Sequence, residues 1–250
     1  MPLWSGDVRG GSNPRPPDHV LWETVHVYFE HREQGHDVGN SSFLYPFLGK
    51  GEQSLEEVVD EVQRSMLQKV QEVNRLRAAA AESEAAALSD IAVAIVERLE
   101  RGGKLIAFGN GGSATDANDL VADCLDPPPG FGTIPAVSLS AEPANITAIA
   151  NDIGTEAIFA RQLIAHARPE DVAIGISTSG GSANILSALA EARNRGLLTV
   201  GIVGYDGGRI VGERLADHAV VVRSDSIPRI QEVQASIYHV LRGLLERRKA

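Results

Sequence analysis

Residues 172–195 read VAIGISTSGGSANILSALAEARNR, and this stretch decides the fold. The run Val172–Ile176 is apolar at every position. A strand of that kind has both faces covered, as parallel strands do. It passes directly into Ser177-Thr178-Ser179-Gly180-Gly181-Ser182 and then into a helical stretch, Ala183–Arg195. The same order occurs upstream. Leu105–Phe108 is an apolar run, Gly109-Asn110-Gly111-Gly112-Ser113 is its small polar sequel, and a helix follows through Leu125.

Three further apolar runs lie between and beyond these two: Ile134–Leu139, Leu198–Val203 and Ala219–Val222. The segments between the runs are long enough for helical crossovers. The fold class is therefore α/β, a three-layer α/β/α sandwich with a five-stranded parallel sheet. A closing helix is expected from about Pro228 to Arg247, with proline in its first turn.

Upstream of residue 104 the signals are helical. Ser54 and Glu57 form an S-x-x-E capping box. Leu55, Val58, Val59, Val62, Met66, Val70, Val73 and Leu76 keep the spacing of an amphipathic helix running to about residue 81. A second helix follows, with Leu88, Ile91, Ile95 and Leu99 on one face and Gly102-Gly103 as its stop. Both apolar stripes need a covering surface: each other, the sheet or a partner chain. Residues 51–250 are thus expected to form one domain that includes two N-terminal helices. Residues 1–50 form an extension, Gly/Pro-rich over 5–17 and holding seven of the twelve aromatics. That aromatic content suits a packing arm better than a plain disordered tail. His26, His31 and His36 recur every five residues, which does not keep one helix face.

Composition narrows the function. The chain has 250 residues and a formal net charge of −10, against the phosphate neutralisation that broad nucleic-acid binding needs. A single Cys, Cys124, precludes an internal disulfide framework and is read as a packing residue. No apolar run approaches the ~20 residues of a membrane helix, and the amino terminus lacks the order of a signal peptide. A cytoplasmic protein is expected.

In an open parallel sheet, ligands bind outside the carboxyl ends of the strands. Both polar loops fall there. Glycines let backbone N–H groups approach a ligand, the helix that follows adds a positive dipole end, and the hydroxyls of Ser177, Thr178, Ser179 and Ser182 can donate to phosphate oxygens. Neither loop has the spacing of a dinucleotide fingerprint or the lysine of a P-loop. The pair reads as an anion cradle facing a second polar loop.

The motifs GNGGSATDA (109–117), ANDIGTEAIFAR (150–161), GISTSGGSANIL (175–186), GYDGG (204–208) and PRIQEVQASIYHVL (228–241) together resemble the sugar isomerase (SIS) domain family over about residues 52–247. Within it they are most similar to the phosphoheptose isomerases, which interconvert sedoheptulose 7-phosphate and a heptose 7-phosphate. The resemblance implies substrate contacts at Asn110, Gly111, Gly112, Ser113, Asn151, Asp152, Ser177, Thr178, Ser179, Ser182 and Gln231. It implies a catalytic pair, Asp123 and His239, and a homotetramer with sites shared between subunits. It also implies zinc or another divalent metal held by Asp119, Asp123, Gln231 and His239.

The chain departs from the family on the helix after GNGGS. The isomerases carry a histidine and a glutamate there, four residues apart, where this sequence has Asp119 and Asp123. The spacing still sets both carboxylates on one side of the helix, but Asp123 is one methylene shorter than glutamate. Two readings follow. In one, the chain is an aldose–ketose isomerase working through an enediol, with Asp123 as base and His239 as its acid/base partner. In the other, it is a non-catalytic sugar-phosphate sensor or protein scaffold. Loss of the His/Glu pair favours the second; retention of Gln231 and His239 opposes it.

Overall fold

The computed structural model describes residues 55–249. The expectations for residues 1–50, for the three spaced histidines and for the Ser54 cap lie outside the described residues.

The first element among the described residues is one helix, α1 (Leu55–Glu100), 46 residues long. Two helices with a break near residue 81 were expected, and this is corrected. The apolar stripe lapses at Ala78–Ala81 and Ala85–Ala87, but alanine is the strongest helix former and neither Gly nor Pro occurs between 55 and 100. The chain divides into two compact units, residues 1–71 and 72–250. In the first, α1 leaves Val59, Leu67 and Val70 each 55% exposed. In the second, its Val73, Leu88, Ile91, Ala92, Ile95 and Val96 are buried, and Gly102 closes it with a left-handed φ of 84°.

The elements of the second unit after α1 alternate. They are β1 (Leu105–Gly109), α2 (Gly112–Leu125), β2 (Ala136–Ser138), α3 (Pro143–Asp152), a 3₁₀ turn (Thr155–Ala157), α4 (Ile158–His166), β3 (Val172–Ser177), α5 (Ala183–Asn194), β4 (Leu198–Gly204), α6 (Gly208–Gly212), β5 (His218–Val222) and α7 (Ile227–Lys249). The strands form one sheet in the order β2-β1-β3-β4-β5, and every pairing is parallel. All five apolar runs became strands. β2 is shorter than its run because Pro135 has no N–H to give and the Ile134 N–H bonds the Cys124 carbonyl at 2.8 Å.

Side chains alternate between the two sheet faces, as a period of two requires. Leu105, Ala107, Ile174, Ile176, Val200 and Ile202 pack with α1, α2 and α7. Ile106, Phe108, Ala173 and Val203 pack with Phe159, Leu163, Ile185, Leu189 and Ile210 on the opposite side. The three layers are those read from the sequence. Helices on both faces leave the carboxyl ends of β1, β3 and β4 open, and the two polar loops sit there. Among the described residues, no helix is long and apolar enough to cross a membrane.

Candidate active site

The two strand-end loops are held close by their own chemistry. Gly111 adopts φ 54°, ψ −124° as the N-cap of α2, a conformation open in practice only to glycine. A side chain at Gly112 would collide with the Gln231 amide, so the absence of one lets α7 bring Gln231 onto the loop. Asn110 and Asn184 form a reciprocal amide pair. Each Nδ2 donates to the other's Oδ1 at 2.8 Å, and this ties the loop after β1 to the first turn of α5. Asn110 keeps one N–H and one lone pair for a ligand.

The serine loop is braced from below and behind. The Ser177 hydroxyl accepts from the Gly180 N–H at 3.1 Å, and the Ser179 hydroxyl accepts from the Gly181 N–H at 3.3 Å. Ser182 is the N-cap of α5 yet makes no capping hydrogen bond with its side chain, so its hydroxyl remains available. Gly180 has φ 60° and presses on Gly207, and Gly208 presses on the Ser179 carbonyl. The Ile210 N–H also donates to the Gly180 carbonyl at 3.1 Å. Beneath the loop, the fully buried Gln234 donates from Nε2 to the Ile202 carbonyl at 3.0 Å and the Ser177 carbonyl at 3.4 Å, joining the ends of β3 and β4 to α7.

Helices α2 and α7 supply the titratable groups. Asp123 Oδ2 lies 3.3 Å from His239 Nε2, with both side chains partly exposed. Asp116, Asp119 and Asp123 follow one another on the same face of α2. Burial, with Asp119 adding repulsion, raises Asp116 to about 7, and its Oδ2 is buried without a hydrogen-bond partner. The Tyr238 hydroxyl is pushed above its ordinary range by burial and then by the charges of Asp116, Asp119 and Asp123. The Tyr238 ring packs against that of His239, with centroids 4.6 Å apart. Arg242, nearly buried, fixes the end of α2. Its Nε donates to the Asp123 carbonyl at 3.1 Å, its Nη2 to the Gly132 carbonyl at 2.7 Å and its Nη1 to Glu246 at 3.1 Å. Cys124 is fully buried and its thiol is pushed up to about 11, chiefly by burial, which fits packing.

The structure therefore brings together Asn110, Gly111, Gly112 and Gln231, and separately Asp123 with His239. Ser113 is buried in the first turn of α2. Thr178 is partly exposed in the serine loop, and Asp119 is exposed on α2. Asn151 and Asp152 end α3, exposed and bonded to each other at 2.8 Å. Asp152 lines a groove of about 230 Å³ with Ile149, Arg161 and His166. Asn184, Gln234, Asp116 and Tyr238 were missed. Asp116, Asn184, Gln234 and Tyr238 all stand inside the quoted motifs, but only the tertiary contacts give them partners.

A divalent metal fits this donor set poorly. The Asp123–His239 separation would suit two ligands of one ion, but among the described residues no three His, Cys, Asp or Glu side chains converge. Asp119 stands exposed on the surface of α2.

A family model described as "SIS domain" matches residues 70–204. The chain belongs to the SIS domain family. It is 40% identical over 194 residues to the phosphoheptose isomerase of Roseiflexus sp., covering 76% of this chain and 92% of that one. It is 44% identical over 164 residues to that of Pelobacter propionicus, covering 64% and 84%. Among solved structures of SIS proteins, the phosphoheptose isomerase of Neisseria gonorrhoeae superposes with a TM-score of 0.70 at 30% identity, covering 74% of this chain and 99% of that one. The Francisella tularensis phosphoheptose isomerase gives 0.68 at 30% identity, covering 76% and 98%.

Proposed function

We propose that this SIS protein is a sugar-phosphate aldose–ketose isomerase of the phosphoheptose isomerase type. The pairing of Asp123 with His239 at 3.3 Å carries the reading, because it sets a carboxylate beside an imidazole from residues 116 positions apart on two helices, a combination able to serve as base and acid. The phosphate is held by the hydroxyls of Ser177, Thr178, Ser179 and Ser182 and by the amino-terminal N–H groups of α5. Asn110, Gly111, Gly112, Ser113 and Gln231 contact the sugar. Asp123 takes the proton from the carbon beside the carbonyl. His239 gives a proton to the carbonyl oxygen, and the enediol forms. Return of a proton to the neighbouring carbon, with loss of one from the other oxygen, completes the exchange, and no net proton is consumed.

The same reading makes the protein a cytoplasmic homotetramer with shared sites. Residues 1–50 form an extension to the SIS domain. The test is conversion of sedoheptulose 7-phosphate, measured with and without added zinc. Turnover that His239→Ala abolishes in a folded protein supports the reading, and no turnover by the intact protein under either condition overturns it. That no three His, Cys, Asp or Glu side chains converge among the described residues favours a second reading, a non-catalytic sugar-phosphate sensor. Thermal stabilisation by the sugar phosphate without turnover would select it.

A further inference from the structure

The phosphate cradle described above consists of hydroxyls and backbone amides and holds no formal positive charge. A cavity of about 590 Å³ opens beside it, lined by Ser179, Tyr205, Asp206, Arg223, Ser224 and Asp225. It lies beyond the ends of β4 and β5, where open parallel sheets take ligands. Ser179 belongs to the serine loop, so cradle and cavity share a wall. The opposite wall is backbone under constraint. Tyr205 sits at φ 52°, a left-handed conformation uncommon for a bulky residue. The glycines that follow it are packed onto Ser179 and Gly180. Strain that neighbouring structure holds in place clusters at functional positions.

We propose that Arg223 is a specificity-determining residue that binds the outward oxygens of the substrate phosphoryl group in this cavity. The inference rests on the serine loop being the phosphate cradle. Arg223 is the only cation among the lining residues and is exposed. It makes no ion pair with another described residue, although two carboxylates line the same space. A guanidinium presents a planar donor fork that matches two phosphate oxygens. The Asp206 carboxylate already accepts the Gly208 N–H at 3.0 Å, and the Ser224 hydroxyl accepts the Ser226 N–H at 3.2 Å. Without Arg223, a phosphate in this cavity would face Asp206 and Asp225 with no countercharge. Arg223 thereby makes the cavity selective for a phosphorylated sugar over the free sugar, in a protein whose net charge is −10.

The experiment uses the full chain, with Arg223→Ala, Arg223→Lys and a distant control, Arg101→Ala, which precedes β1 at the opposite end of the sheet. Two readouts are taken: KM and kcat for sedoheptulose 7-phosphate, and the dissociation constant of inorganic phosphate by calorimetry at two salt concentrations. Arg223→Ala is expected to raise KM and the phosphate constant at least tenfold, with a smaller change in kcat. It should also flatten the salt dependence, while Arg223→Lys recovers part of the loss and the control matches the unaltered protein. A phosphate constant for Arg223→Ala within twofold of the unaltered protein overturns the proposal and leaves the isomerase reading intact. Arg223-dependent phosphate binding without turnover supports the proposal while removing the isomerase reading. Failure of the unaltered protein to bind phosphate removes both the cradle and the proposal.

Discussion

Asp116 offers the sharpest test of the acid row on α2. Its carboxyl rises from the ordinary 3.8 to about 7 through burial and repulsion by Asp119. The folded state thus holds a proton that the unfolded chain has released. Between these two values the native state binds more protons, so stability falls as pH rises. The contribution is fully present below about pH 4 and is lost as pH passes through about 7. The whole rise is worth at most about 4 kcal/mol. The carboxyl is only partly buried, and solvent screening brings the working figure to about 1–2 kcal/mol. Asp116→Asn keeps the shape and removes the titration. The assay is urea unfolding of both proteins at pH 4.5 and pH 8, with a chelator present to keep cations off the row. The variant should gain about 1–2 kcal/mol relative to the unaltered protein on going from the lower pH to the higher. Any constant packing difference cancels in that comparison. A stability difference between the two proteins that is the same at both pH values refutes the argument.

Two further predictions concern residues that the fold pairs. Asn110→Ala and Asn184→Ala should show a coupling of about 1 kcal/mol in kcat/KM by double-mutant cycle, since each removes the same reciprocal pair; additive losses would show that the pair does not position Asn110. Restoring the family's residues with Asp119→His and Asp123→Glu should tighten zinc binding at least tenfold by competition titration, and equal affinity would show that the two aspartates did not weaken the site.

Much of this molecule was legible in one dimension. Apolar runs such as Val172–Ile176 identify parallel strands because covering both faces leaves no polar alternation. Glycine and hydroxyl clusters after them identify the ligand end, because that is where a parallel sheet presents its loops. The apolar stripe suggests a break near residue 81, but helix propensity overrides it: alanine carries α1 through a stretch with no stripe. The contact between Asp123 and His239 was legible only through the family motifs, since nothing local relates the two residues.

Sequence alone determined the strands, the loops and the family, because these depend on short-range pattern and residue type. Tertiary structure alone decided which side chains meet. It set the Gln231 amide over Gly112 and joined Asn110 to Asn184. It also lined one cavity with Arg223 and Ser179. Such contacts depend on the packing of α7 and α5 across the sheet, over separations for which no local spacing rule exists.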